Sequence, residues 1–86
     1  MRFILYSKPD CSLCDRLETL VAPQLRALSQ RGVLYQWEKR DIRANPDWLE
    51  AYGLRIPVLL ADGVVLLEGR PEPRDVARAL GSIANK

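Results

Sequence analysis

The sequence contains no histidine. That absence removes every mechanism that needs an imidazole base, and it weakens zinc proposals, which draw heavily on imidazole ligands. Cysteine is scarce as well: Cys11 and Cys14 are the only 2 in 86 residues. A secreted disulfide framework uses more, so the pair points to redox or metal chemistry. Long apolar runs are missing. The stretch Phe3-Ile4-Leu5-Tyr6 is far too short for a membrane span or a signal core, so the chain reads as soluble, cytoplasmic and without a membrane partner. Nor does charge of one sign dominate. The 13 Lys and Arg against 11 Asp and Glu leave +2, mixed in sign along the chain. Without a basic stripe, a nucleic-acid partner is disfavoured.

What is present suits one α/β domain over residues 1–86, with 48% hydrophobic residues to build a core. Phe3 to Tyr6 reads as a strand buried on both faces, followed by a turn at Ser7-Lys8-Pro9-Asp10. From Cys11 the pattern turns helical, placing Leu13, Leu17, Val21, Leu25 and Leu28 near one face. Pro23 predicts a kink or break in that helix, and Gly32 its C-terminal cap. Val33, Tyr35 and Trp37 alternate with polar residues, which predicts a second strand running to about Asp41. Asn45-Pro46 is a helix start with Asn as N-cap and Pro in the first turn; Gly53 ends it. Asp62-Gly63 between Ile56-Pro57-Val58-Leu59-Leu60 and Val64-Val65-Leu66-Leu67 is a hairpin signal. After Pro71-Glu72-Pro73, the spacing of Val76, Leu80 and Ile83 predicts a final helix to the C-terminus. The order is βαβαββα, with a right-handed parallel crossover at its start and helices on both faces of the sheet.

The residues with chemistry stand at the first strand-to-helix junction, Cys11-Ser12-Leu13-Cys14. A helix start offers unpaired N–H groups and a positive dipole end, which favour a thiolate at Cys11. Lys8 helps; Asp10 and Asp15 oppose. Helical spacing of three puts the second sulfur on the same side, so Cys14 can resolve a mixed disulfide formed at Cys11. This assigns Cys11 as the exposed nucleophile and Cys14 as the buried resolving thiol. Two other uses of the pair stay open: a dimeric metal or iron–sulfur carrier, since two thiolates make half a tetrahedral site, and a redox-inactive adaptor. Tyr35, Trp37 and Trp48 are read as core packing, and Glu38-Lys39-Arg40-Asp41 as a strand edge meeting solvent.

The segment from Leu5 to Cys14, with Tyr52-Gly53-Leu54-Arg55-Ile56-Pro57-Val58-Leu59 downstream, resembles the glutaredoxin-like branch of the thioredoxin superfamily. The resemblance implies a thioredoxin-like four-stranded mixed sheet of order 2-1-3-4 and thiol–disulfide oxidoreductase activity. It implies a cis Ile56–Pro57 bond facing the sulfurs, an Ile56 backbone that pairs with an extended thiol substrate, and a Pro57 that keeps metal away. Lys8 matches the family's basic residue before the active site, and Arg55 could supply a further carboxylate contact, as could Arg70.

Two departures stand out. Ser12-Leu13 replaces the Pro-Tyr pair of well-studied glutaredoxins. Their Gly-Gly and acidic segment, which holds the γ-glutamyl end of glutathione, reads here Leu67-Glu68-Gly69-Arg70-Pro71. The expected partners are therefore a disulfide-bearing protein or a glutathione mixed disulfide, with glutathione or a reductase returning the electrons. No bound cofactor or metal is expected, and the protein is expected to act as a monomer.

Overall fold

Strand β1 (Arg2–Ser7) is the centre of the molecule. It pairs in parallel with β2 (Gln36–Asp41) on one side and antiparallel with β3 (Val58–Ala61) on the other. β4 (Val64–Glu68) follows β3 as a hairpin. The sheet order in this computed structural model, which describes residues 1–83, is β2-β1-β3-β4. Helix α1 (Ser12–Gln30) links β1 to β2, and a short 3-10 turn at Ile42–Ala44 leads into α2 (Pro46–Tyr52). Helix α3 (Pro73–Gly81) closes the described chain. The expected end of the last helix, residues 84–86, lies outside the described residues.

The period of two along β1 divides the core. Phe3 and Leu5 face one side, where Leu17, Val21 and Leu28 of α1 and Val76 and Leu80 of α3 bury against them and against Leu59 and Leu67. Tyr6 turns to the other side, with Ile42, Val58 and Leu60, beneath Trp48 and Tyr52 of α2. Helices thus cover both faces of the α/β sheet. Phe3, Leu5, Val58 and Leu59 are fully buried, as strands covered on both faces must be.

Local signals formed the elements they announced. Asn45 caps α2 through its side chain, accepting from the Asp47 N–H at 2.9 Å, with Pro46 in the first turn. Gly32 stands just past the end of α1 at φ 83. There the Gly32 N–H bonds to Ser29 O and the Val33 N–H to Leu28 O, a Schellman closure of the last turn. Asp62 (φ 48) and Gly63 (φ 83) both adopt the left-handed region of a type I′ hairpin turn. The Asp62 carboxylate also accepts the Arg2 N–H at 2.8 Å, tying the turn to the start of β1.

Four expectations need correction. Pro23 does not interrupt α1, which is continuous for 19 residues. The proline is exposed, so the carbonyl it leaves unbonded one turn earlier faces water. The second strand starts at Gln36, three residues later than expected. Val33 is held in the helix closure and Leu34 stands 87% exposed, so the ladder begins only where β1 offers Arg2 as partner. β3 starts at Val58, after Pro57, whose ring nitrogen has no hydrogen for a ladder. Leu13 is not on the core face of α1. Cys14 is, and from it the buried positions run 17, 21 and 28.

The aromatic residues pack as side walls of the two cores. Tyr35 and Trp37 lie 5.7 and 6.2 Å from the Phe3 ring, and Trp48 lies 5.7 Å from Tyr6. Along edge strand β2 the charges pair. Glu38 bonds Arg2 and Arg40, Lys39 reaches Glu18 on α1, and Asp41 holds Arg43. Such an edge resists pairing with another strand.

Candidate active site

The site is built where β1 runs out. Pro9 and Asp10 turn the chain, with Asp10 at φ 57, a left-handed conformation that Asp tolerates better than most residues. Cys11 then takes the N-cap position of α1 in extended conformation, φ −113 and ψ 102. Its Sγ accepts the Cys14 N–H at 3.2 Å, so the sulfur already occupies the place of a capping oxygen. A negative charge on that sulfur would meet the positive end of a 19-residue helix.

Cys11 and Cys14 form a disulfide, with Cα atoms 5.2 Å apart. Their surroundings differ. Cys11 is partly exposed at the tip of the helix, whereas Cys14 is 1% exposed and faces the sheet. Ser12 is exposed between them, and Leu13 is 37% exposed, making an apolar spot beside the sulfurs.

The start of β3 lies alongside the end of β1, where Val58 pairs with Tyr6. The Ile56–Pro57 peptide bond is cis, and Pro57 is buried. The Ile56 N–H donates to Tyr52 O at 3.0 Å, and Pro57 O accepts the Gly69 N–H at 2.9 Å. Arg55 is not a free cation. Its Nε donates to Glu68 Oε2 at 2.8 Å, and its guanidinium lies 5.5 Å from the Tyr52 ring centre. Lys8 has no ion-pair partner among the described residues. It lines a cavity of about 390 Å³ with Ser7, Pro9, Asp15, Lys39 and Asp41.

Residues that sequence reasoning missed complete the frame. Arg16, two positions after Cys14, donates through Nη1 to Pro71 O at 2.7 Å and straps the β4–α3 loop to α1. Ser7 is buried at the end of β1, and its Oγ has no hydrogen-bond partner among the described residues. Lys39 is held in its charged form by a hydrogen bond it donates to Glu18, which raises its pKa above the ordinary lysine value. Spacing could not announce Arg16, because its partner lies 55 residues away. Among the described residues, no three Cys, His, Asp or Glu side chains gather as a metal site, and no helix is long and apolar enough to cross a membrane.

Against known proteins, residues 2–80 match the model of the glutaredoxin-like domain (DUF836). The chain belongs to this glutaredoxin-like family. A solved structure of Northeast Structural Genomics target protein XcR50 from X. campestris is similar to this domain at TM-score 0.65 and 26% identity, over 93% of this chain and 96% of that one. Thioredoxin 1 from Thermosipho africanus superposes over 100% of both chains, at TM-score 0.56 and 16% identity. The oxidised thioredoxin from Plasmodium falciparum does so over 96% of this chain and 80% of its own, at TM-score 0.56 and 14% identity. The last two likenesses concern the fold alone. No curated protein matches the sequence. The glutaredoxin-like domain therefore carries its cysteine pair at the strand-to-helix junction of a thioredoxin-like sheet.

Proposed function

We infer that this glutaredoxin-like domain is a dithiol–disulfide oxidoreductase acting through Cys11 and Cys14. The observation that carries the reading is the unequal placement of two bonded sulfurs, one partly exposed at the N-cap of α1 and one buried a turn below it. Exposure and a helix N-terminus favour nucleophilic attack by the first thiolate, and burial protects the second until a mixed disulfide forms.

The exchange balances in two steps. Cys11 thiolate attacks one sulfur of the substrate disulfide; that S–S bond breaks, a mixed disulfide forms and the leaving thiolate takes a proton. Cys14, deprotonated, attacks the Cys11 sulfur; the mixed disulfide breaks, the second substrate thiol departs protonated and the Cys11–Cys14 bond closes. Two electrons and two protons pass to the substrate. An external thiol, glutathione or the dithiol of a reductase, reverses the process. The Ile56 carbonyl accepts a substrate N–H, and Lys8 attracts substrate carboxylates; Arg55 is held back by Glu68 and shapes the rim.

Activity in a disulfide-reduction assay tests this reading. Cys11→Ser should abolish turnover, and Cys14→Ser should accumulate a mixed disulfide at Cys11. Full activity in Cys11→Ser would refute it.

A further inference from the structure

We propose that Tyr52 is a positioning residue for disulfide exchange: its ring, stacked on Tyr6, fixes the backbone carbonyl to which the Ile56 N–H is bound, and so aims the Ile56 carbonyl. The proposal rests on the oxidoreductase reading above, in which that carbonyl accepts a substrate N–H.

Helix α2 is seven residues long and none of them is buried, so it has no core stripe of its own to hold it. Its hold on the sheet is aromatic. The Tyr52 ring stacks on that of Tyr6, with centroids 4.1 Å apart and planes at 22°, and Trp48, one turn earlier, meets the same Tyr6 ring edge-on at 5.7 Å. Such pairs stabilise beyond the area they bury. Tyr6 is a firm floor for them. It is 5% exposed, and its hydroxyl accepts from Arg40 Nη1 at 2.9 Å. The Arg40 guanidinium also lies 4.9 Å from the Trp48 ring centre and closes the cluster from the β2 side.

The Tyr52 backbone carries this anchorage onward. Its carbonyl accepts two N–H groups, that of Arg55 at 2.8 Å and that of Ile56 at 3.0 Å. The Ile56 N–H is therefore committed, whereas no backbone N–H among the described residues donates to the Ile56 carbonyl. The segment is held at one end by Tyr52 O and at the other by the bond from the Gly69 N–H to Pro57 O at 2.9 Å, with the free acceptor between them. Tyr6 also belongs to the other half of the site. It stands one residue short of the end of β1, the strand that delivers Cys11, and pairs with Val58 at the start of β3. The stack thus ties the strand leading to the nucleophile to the loop presenting the acceptor. Cys11 draws its activation from α1 and not from this cluster, so loss of the Tyr52 ring should separate recognition of a backbone from reactivity of the sulfur.

The test measures second-order rate constants of the reduced full chain with two probes. One is a symmetric disulfide of an N-acetylated, C-amidated cysteine tripeptide, which offers backbone N–H groups to Ile56. The other is bis(2-hydroxyethyl) disulfide, which has none. In Tyr52→Leu the peptide rate should fall about fivefold, the worth of one neutral hydrogen bond, while the hydroxyethyl rate stays unchanged. Tyr52→Phe keeps the stack and should match wild type with both probes. Tyr52→Met fills the space without a flat ring and repeats the test if circular dichroism shows the leucine variant unfolded. An unchanged peptide rate in a folded variant lacking the ring, an equal loss with both probes, a loss in Tyr52→Phe as large as in Tyr52→Leu, or failure of both ring-less variants to fold would overturn the positioning role and leave the oxidoreductase reading standing. Inertness of the wild type toward both probes would overturn the two together.

Discussion

Reducing the Cys11–Cys14 bond should lower the thermal stability of this domain by an amount the loop length sets. The cysteines are separated by 3 positions, so the bond closes a very short loop. Loop closure of that size removes about 6 cal/mol/K from the unfolded chain, or about 2 kcal/mol at 25 °C. Unfolding 86 residues carries an entropy of about 180 cal/mol/K at the midpoint. The two figures together give a Tm difference of about 10 °C between oxidised and reduced protein. The assay is differential scanning calorimetry with and without a non-thiol reductant, at one fixed pH. The Cys11→Ser/Cys14→Ser double variant serves as control and should show one Tm under both conditions. Equal midpoints for the oxidised and reduced wild type, or a higher one for the reduced form, would refute the reasoning.

Leu59→Ala, at a fully buried position between the two central strands' neighbours, should cost about 2–5 kcal/mol in urea unfolding; a loss below 1 kcal/mol would mean the site collapses freely. Arg16→Met keeps the stem but removes the strap to Pro71, so amide exchange across residues 69–73 should speed up while α1 stays protected; unchanged exchange would show that the strap does not hold the loop. The carboxyl of Glu38 is held below its ordinary value of 4.5 by hydrogen bonds from Arg40 and Arg2, and that of Asp41 below 3.8 by Arg43. Depressed folded-state values mean that this stabilisation is present above those pH values and fades as pH falls below them. Both groups are exposed, so the loss should be small, and Glu38→Gln should flatten it; an acid-unfolding profile identical to wild type would remove the pair from the account.

How far the sequence spoke depended on how local each signal was. Asn45-Pro46, Gly32 and Asp62-Gly63 act through neighbours two to five residues away, and each formed the cap or turn it announced. The buried positions of α1 followed helical spacing from Cys14 onward, but the first turn overhangs the end of the sheet, which left Leu13 in solvent. The start of β2 was misplaced because alternation at Val33 and Tyr35 competes with a helix closure and with the extent of β1, neither visible in the pattern itself. Pro23 was misjudged because its cost falls on a carbonyl that water can satisfy. At the site, Cys11 and Cys14 were legible from a motif at an element junction. Arg55 was legible as a cation but not as a partner of Glu68, and Arg16 and Ser7 were silent, since strap and burial depend on contacts distant in sequence.

The central claim is that the two cysteines form a reversible dithiol–disulfide couple. Intact-mass spectrometry after equilibration across a series of glutathione redox buffers tests it most directly. A two-proton loss of mass that titrates with the buffer, and disappears in Cys14→Ser, is the predicted result. A mass that stays constant at every poise would contradict it.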